Sequence, residues 1–386
     1  MKILVVSSHR VSGMIGGVSR YLRNFLEIGN SQNHDITIIE RGAFIPVITR
    51  SIRDVIKMSN QKARFWYNLP EFVDKIYQIY TFMILFLFAY IISIREKYEI
   101  ILTDDVSVSG LAGFFLHKLK GMNYMIQLHG WPEACKNKSK GRNVTFQMQR
   151  KILKSSERII FAFPDVKGCL MKLKINDSKY RELPLGVDLE KFSPSSEQKD
   201  LLREKLKIPS DNFVIGFVGR LSPEKGLFSA VNIISSMQQK IDQKITLVII
   251  GTGEIEKDLR DTAKNMNVDC RFLGHQSCTA KWYNIMDLYL ALSSRETFGL
   301  SVLEAMATGI PVVASNIDSF RRLFSGNESP GYLVNRNNID EVINYIKKLI
   351  QNPQLRAGMG RIAQLNANQF SIKSSILKLL GIINNQ

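Results

Sequence analysis

Short apolar, β-branched runs alternate with longer stretches of helical spacing from one end of this 386-residue chain to the other. That alternation admits little besides βα units wound into parallel sheets. In the first half the runs fall at 3–7, 36–40, 100–103, 124–128 and 158–163; in the second they fall at 213–218, 245–250, 271–273, 288–292, 311–314 and 332–334. A chain of this length exceeds one ordinary core, so the expectation is two successive doubly wound sheets. The polar, turn-rich Ser193-Pro194-Ser195-Ser196-Glu197-Gln198-Lys199-Asp200 is the candidate join. The expected division is a first domain over 1–190, a second over 191–370, and a last helical segment, 371–386, free to cross back to the first domain.

With 45% hydrophobic and 23% charged residues, the chain has the make-up of a folded globular protein. Cys135, Cys169, Cys270 and Cys278 show neither C-x-x-C nor metal-ligand spacing and read as reduced, structural thiols. The opening Met1-Lys2-Ile3-Leu4-Val5-Val6-Ser7-Ser8 turns too soon for a signal peptide, so the expected location is cytoplasmic. The formal charge is +17, and residues 1–190 hold 28 Lys and Arg against 17 Asp and Glu. Such an excess attracts nucleic acid, an anionic membrane or an anionic substrate, and charge alone does not choose among them. No recognition-helix or RNP-like pattern accompanies it, so no nucleic-acid partner is expected.

Chemistry gathers at strand ends. In Ser294-Arg295-Glu296-Thr297-Phe298-Gly299-Leu300-Ser301-Val302-Leu303-Glu304, two carboxylates stand eight positions apart across a strand-to-helix corner. Amides near Thr297, Phe298, Gly299 and Leu300 lie at the helix start, where unpaired N–H groups and the helix dipole suit oxyanions and hydroxyls. Arg220 and Lys225, in Gly219-Arg220-Leu221-Ser222-Pro223-Glu224-Lys225-Gly226, would supply fixed positive charge to a diphosphate, one as a planar fork and one as a point charge. Gly16 and Gly17 follow the first strand and lead into a helix, where phosphate can approach the backbone. His129 ends a buried strand, at the sheet edge where open α/β folds bind ligands. No D-x-D follows a strand, and Asp104 and Asp105, if extended, point to opposite faces. No metal is expected.

These segments resemble the family-4 retaining glycosyltransferases of GT-B fold, two Rossmann-like domains facing across a cleft. The resemblance rests on Glu296 and Glu304 as a Glu-x7-Glu pair and on Val218-Gly219-Arg220 through Lys225-Gly226. It rests also on the Gly16-Gly17 loop, on His129-Gly130, and on Leu183-Pro184-Leu185-Gly186-Val187-Asp188 at the hinge. It implies that Glu304 holds the ribose hydroxyls, that Glu296 and the amides after it face the donor sugar, and that Arg220 and Lys225 neutralise the diphosphate. Gly16 and Gly17 would close on that diphosphate, and His129 would stand near the reaction centre. Leu185 stands where the family often has asparagine.

The implied activity is hexosyl transfer, with retention, from a UDP- or GDP-sugar to a hydroxyl of a saccharide or lipid-linked saccharide in cell-surface polysaccharide synthesis. No further cofactor is implied. The alternatives are a catalytically silent GT-B partner subunit and an NAD enzyme, which the glycine spacing disfavours.

One segment stands apart. Residues 76–94 carry no charge and are long enough to span a bilayer, but a single span would divide Gly16-Gly17 from His129, which the same fold places in one sheet. The two readings are a first-domain helix buried on most sides and a surface that docks peripherally on an anionic membrane, at the inner face of the plasma membrane. Arg41, Arg50, Arg53, Lys57, Lys62 and Arg64, then Phe65-Trp66-Tyr67, favour docking, as does the run from Lys136 to Arg158.

Overall fold

A computed structural model describes residues 1–9, 17–40, 47–50, 71–130, 132, 144–163, 165–195 and 199–385. Gly16, the stretch 51–70 with its basic and aromatic residues, and Lys136 to Arg142 lie outside them. The chain forms two compact units, Met1–Pro184 with Ile372–Gln386, and Leu185–Ser371.

The first unit is built on β1 (Lys2–Ser7), β2 (Asp35–Glu40), β3 (Val47–Thr49), β4 (Ile100–Thr103), β5 (Tyr124–Leu128), β6 (Arg158–Phe161) and β7 (Tyr180–Glu182). The sheet runs β3-β2-β1-β4-β5-β6-β7, parallel throughout except where β3 pairs antiparallel with β2. The second unit carries β8 (Phe213–Val218), β9 (Ile245–Ile250), β10 (Cys270–Gly274), β11 (Leu288–Ala291), β12 (Val312–Ser315) and β13 (Gly331–Val334). Its order is β10-β9-β8-β11-β12-β13, all parallel.

Central strands such as β5, β8 and β9 are buried along their whole length, which is why their sequences read as continuous apolar runs and not as alternation. β3 and β7 escaped that reading. Each is three residues long, and Tyr-Arg-Glu of β7 has an edge strand's polarity.

In each sheet the strand order reverses beside the unit's first strand, between β1 and β4 and between β8 and β11. Loops leaving adjacent strands in opposite directions open a crevice there, outside the carboxyl ends.

Five helices matter below: α1 (Gly17–Ser31), α2 (Glu71–Arg95), α3 (Val108–Lys120), α4 (Leu300–Ala307) and α5 (Ile372–Asn384). The last packs on α1, and Ser375 Oγ donates to the Pro184 carbonyl at 2.7 Å, which ties α5 into the first unit.

Helix α2 departs from the mostly buried reading. Leu85, Ala89 and Ile92 are buried, and Phe82 and Phe86 meet Phe115 of α3 at ring separations of 5.7 and 6.0 Å. Ile79, Met83, Leu87, Ile91 and Ile94, however, are 40% to 63% exposed. Steps of three and four residues put these five on one side of a helix. Cys270 and Cys278 are free thiols, whereas Cys169 is disulfide-bonded, which corrects the expectation that all four cysteines are reduced.

Candidate functional site

The second unit's switch point collects most of the charged residues picked out in the sequence. β8 runs into Gly219 and Arg220, and β11 into Leu292, Ser293 and the corner before α4. Gly226 seats one loop on the other. Its φ is 70°, and a Cβ there would come 2.3 Å from the Leu292 carbonyl oxygen, so only glycine fits without moving backbone. The Ser294 amide donates to the Glu224 carbonyl at 2.8 Å, a second tie across the strand order.

With the loops so fixed, Lys225 Nζ lies 2.5 Å from Glu296 Oε1. Ser293 Oγ donates to the same carboxylate oxygen at 3.3 Å. The Lys225 and Glu296 side chains are 17% and 16% exposed, so solvent screens this pair less than an ordinary surface bridge. Arg220 is different: its side chain is 74% exposed and pairs with Glu224 at 3.2 Å. Burial works to raise the Glu224 carboxyl, but the Ser222 hydroxyl, the residue's own amide and the charges of Arg220 and Lys225 outweigh it and hold the group below the usual range.

Glu304 is buried in α4, where its Oε2 accepts from the Tyr283 hydroxyl at 2.8 Å. Gly299 caps that helix with φ 88°, and a Cβ there would meet the Phe320 ring at 2.8 Å. Phe298 is buried with its ring 6.0 Å from that of Phe370, and Thr297, Phe298, Gly299 and Leu300 lie at the start of α4. Arg220, Lys225, Glu296 and the start of α4 thus stand on the two loops joined at this switch point, with Glu304 inside the helix that follows.

In the first unit, Gly17 begins α1 and Gly16 is outside the described residues. His129 follows β5, with its ring edge-to-face on Tyr21 at 5.4 Å and its Nε2 buried without a hydrogen-bond partner. Burial pushes its pKa down to about 4, against the pull of Asp104 and with a further push from His9. The ring is therefore neutral at neutral pH.

Sequence reasoning missed a polar cluster at the other switch point. Ser7, Ser8 and His9 end β1, and Asp104 and Asp105 end β4. The two aspartates do not diverge as extended neighbours would. His9 Nδ1 lies 2.7 Å from Asp104 Oδ2, and the Ser8 hydroxyl donates to Asp105. His9, Asp104 and Asp105 bring one ligand atom each to within 4.8 Å of one another, a set able to hold a cation. The signal was present as polar residues directly after two apolar strands; only the adjacency of those strands was hidden.

Known proteins share this architecture. Residues 15–191 match Glycosyltransferase Family 4, and residues 198–366 match Glycosyl transferases group 1. An Escherichia coli UDP-Gal:α-D-GlcNAc-diphosphoundecaprenol α-1,3-galactosyltransferase is 29% identical over 292 residues, 74% of this chain and 75% of that protein. Among solved structures, sucrose-phosphate synthase from Thermosynechococcus elongatus superposes with a TM-score of 0.79 at 19% identity, covering 99% of this chain and 98% of that one. Anabaena HepE in complex with UDP-glucose gives 0.75 at 18% identity, over 100% of both.

Proposed function

The chain belongs to the family-4 glycosyltransferases of GT-B fold, and from that premise we propose that it transfers a hexosyl residue, with retention, from a UDP-sugar to a hydroxyl of a lipid-linked saccharide. The observation that carries this reading is the Lys225–Glu296 pair, whose Glu296 stands on the loop leading into α4, with Glu304 of that helix set by Tyr283. A nucleoside diphosphate leaves with growing negative charge, and a lysine already held in place stabilises that charge without reorganising. Arg220, more exposed, adds a second donor. Glu304 accepts hydrogen bonds from the ribose hydroxyls, and the amides at the α4 start meet the donor. Glu296 keeps Lys225 oriented and faces the sugar. The departing phosphate takes the acceptor proton on the same face, so no protein nucleophile and no metal is invoked.

Support for UDP and for a lipid-linked acceptor comes from the E. coli relative, whose name carries both. Support for a peripheral membrane position, on the cytoplasmic side, comes from the exposed apolar stripe of α2. Lys120 of α3 reaches that helix, where its Nζ donates to Ser93 Oγ at 3.0 Å and lies 5.6 Å from the Tyr90 ring centre. An apolar stripe with a lysine beside it suits an anionic interface.

Calorimetry with UDP, GDP and ADP, followed by hydrolysis assays on a panel of UDP-hexoses, tests the donor side. Binding of UDP with turnover of one UDP-hexose is expected. Binding without any turnover would favour the silent partner subunit, and no nucleotide binding would end the reading.

A further inference from the structure

At the second sheet's switch point the two neighbours of β8 behave differently. β9 pairs with it as far as Val218↔Ile250, whereas β11 pairs with it only at Leu288↔Ile215 and Tyr289↔Gly216. The crevice opens where that second ladder stops, which leaves the end of β8 without strand pairing on that side. We propose that Tyr289 is a positioning residue for the transfer: its hydroxyl takes the place of the missing ladder and holds the loop 219–225 in register with α4. The inference rests on the donor reading, because that loop carries Arg220 and Lys225.

The hydrogen bonds at that point are specific. The Val218 amide donates to the Tyr289 hydroxyl at 3.2 Å, and the hydroxyl donates to the Val218 carbonyl at 3.0 Å. One side chain thus serves both backbone groups of one residue, as a strand neighbour would. On the other side Gly219 N donates to Ile250 O at 2.9 Å, and Leu221 N donates to Thr252 O at 3.0 Å. The root of the loop is therefore gripped from β9 and from Tyr289 alike, and Ser294 grips its far end through the Glu224 carbonyl. Tyr289 is 0% exposed, so solvent does not stand in for its hydroxyl, and a buried amide and carbonyl left unpaired destabilise whatever they belong to.

The same hydroxyl is tied to α4. A phenol oxygen that donates once can accept twice, and the Ser301 hydroxyl of α4 is its remaining partner. Burial pushes the phenol up, the Ser301 hydroxyl and the Val218 backbone pull it down, and the charges of Glu296 and Glu304 push it up again. The group therefore stays neutral and keeps the proton that it donates to Val218, with both acidic residues of the site close enough to act on it. Tyr283, whose hydroxyl donates to the Ser301 carbonyl at 3.2 Å, has its ring 5.9 Å from that of Tyr289. Strand end, loop root and helix α4 meet at one atom. Lys225 has to stand where charge grows on the departing diphosphate, so a loop loosened at its root loses rate in the transition state and not in substrate binding.

The test compares Tyr289→Phe with Tyr124→Phe in the full chain. Tyr124 is also buried, and its hydroxyl also bonds backbone, donating to Ile152 O at 2.5 Å, but it belongs to the first unit. Tyr289→Phe is expected to lower kcat about tenfold with KM for the UDP-hexose within about twofold of wild type. It should also speed hydrogen exchange in the peptide covering 219–226. Tyr124→Phe should lower the thermal midpoint and leave kcat within about twofold of wild type. Should Tyr289→Phe not fold, Ser301→Ala removes the phenol's remaining partner and is expected to lower kcat about threefold at unchanged KM; an unchanged kcat there overturns the inference. Equal losses of kcat in the two tyrosine variants, or unchanged exchange in the 219–226 peptide, overturn it in favour of packing alone. So does a normal kcat in Tyr289→Phe beside an active wild type, which leaves the donor reading intact. A wild-type chain that turns over no UDP-hexose ends the donor reading, and this inference with it.

Discussion

Lys225 Nζ and Glu296 Oε1, 71 positions apart in sequence, stand 2.5 Å from each other at the β8–β11 switch point. Each therefore fixes the other, and removing either leaves a little-exposed charge without its partner. Lys225→Ala and Glu296→Ala should each lower turnover at least tenfold, about 1.4 kcal/mol of barrier, while the fold survives. The double variant should cost less than the product of the two, since the residues touch. Steady-state kinetics on the UDP-hexose found in the donor screen would check this; near-normal rates in both single variants would refute the site.

Tyr283→Phe removes the hydroxyl that donates to Glu304 Oε2 and keeps the ring. The expected loss is about 1 kcal/mol, read as weaker UDP binding by calorimetry and an unchanged circular dichroism spectrum. Unaltered UDP affinity would detach Glu304 from the nucleotide.

Gly299 and Gly274 both have positive φ, but only at Gly299 would a Cβ meet a side chain. Gly299→Ala should destabilise by about 1–3 kcal/mol and Gly274→Ala by less. Equal shifts in thermal midpoint would show that the Phe320 contact is not limiting.

His129, held near pKa 4 by burial against an ordinary 6.5, is neutral when folded. Between those two values the unfolded chain binds the proton and the folded one does not, so stability is full above pH 6.5 and falls as pH drops toward 4. The loss is on the order of 2 kcal/mol. His129→Gln should flatten that part of a urea-unfolding pH series; an unchanged slope would contradict it.

Exposed Met83 and Leu87 lie mid-stripe on α2. Flotation with anionic liposomes should carry the wild-type chain at low salt, and the Met83→Glu, Leu87→Glu double variant should stay behind. A wild-type chain that never floats would count against docking.

The fold class was legible because buried parallel strands announce themselves as apolar runs, and β8 and β9 begin and end where those runs do. The Lys225 and Glu296 motifs could be read for a related reason: each lies within a few residues of its own strand end. The His9–Asp104 cluster could not, because two ordinary dipeptides become a cluster only once β1 and β4 are known to be neighbours. The exposed side of α2 was hidden differently. A helix with nineteen uncharged residues in a row offers no polar face from which to infer the apolar one.

The first unit takes its final helix from the far end of the chain, with Ser375 of α5 bonded to Pro184. On the ribosome, then, the lobe whose synthesis begins first is completed last. The second lobe, continuous from Leu185 to Ser371, can mature while its neighbour still waits for α5 to cover α1. A released chain ending near residue 371 would carry a finished second lobe and a first lobe still lacking α5, a state in which protease sensitivity should be confined to the first lobe.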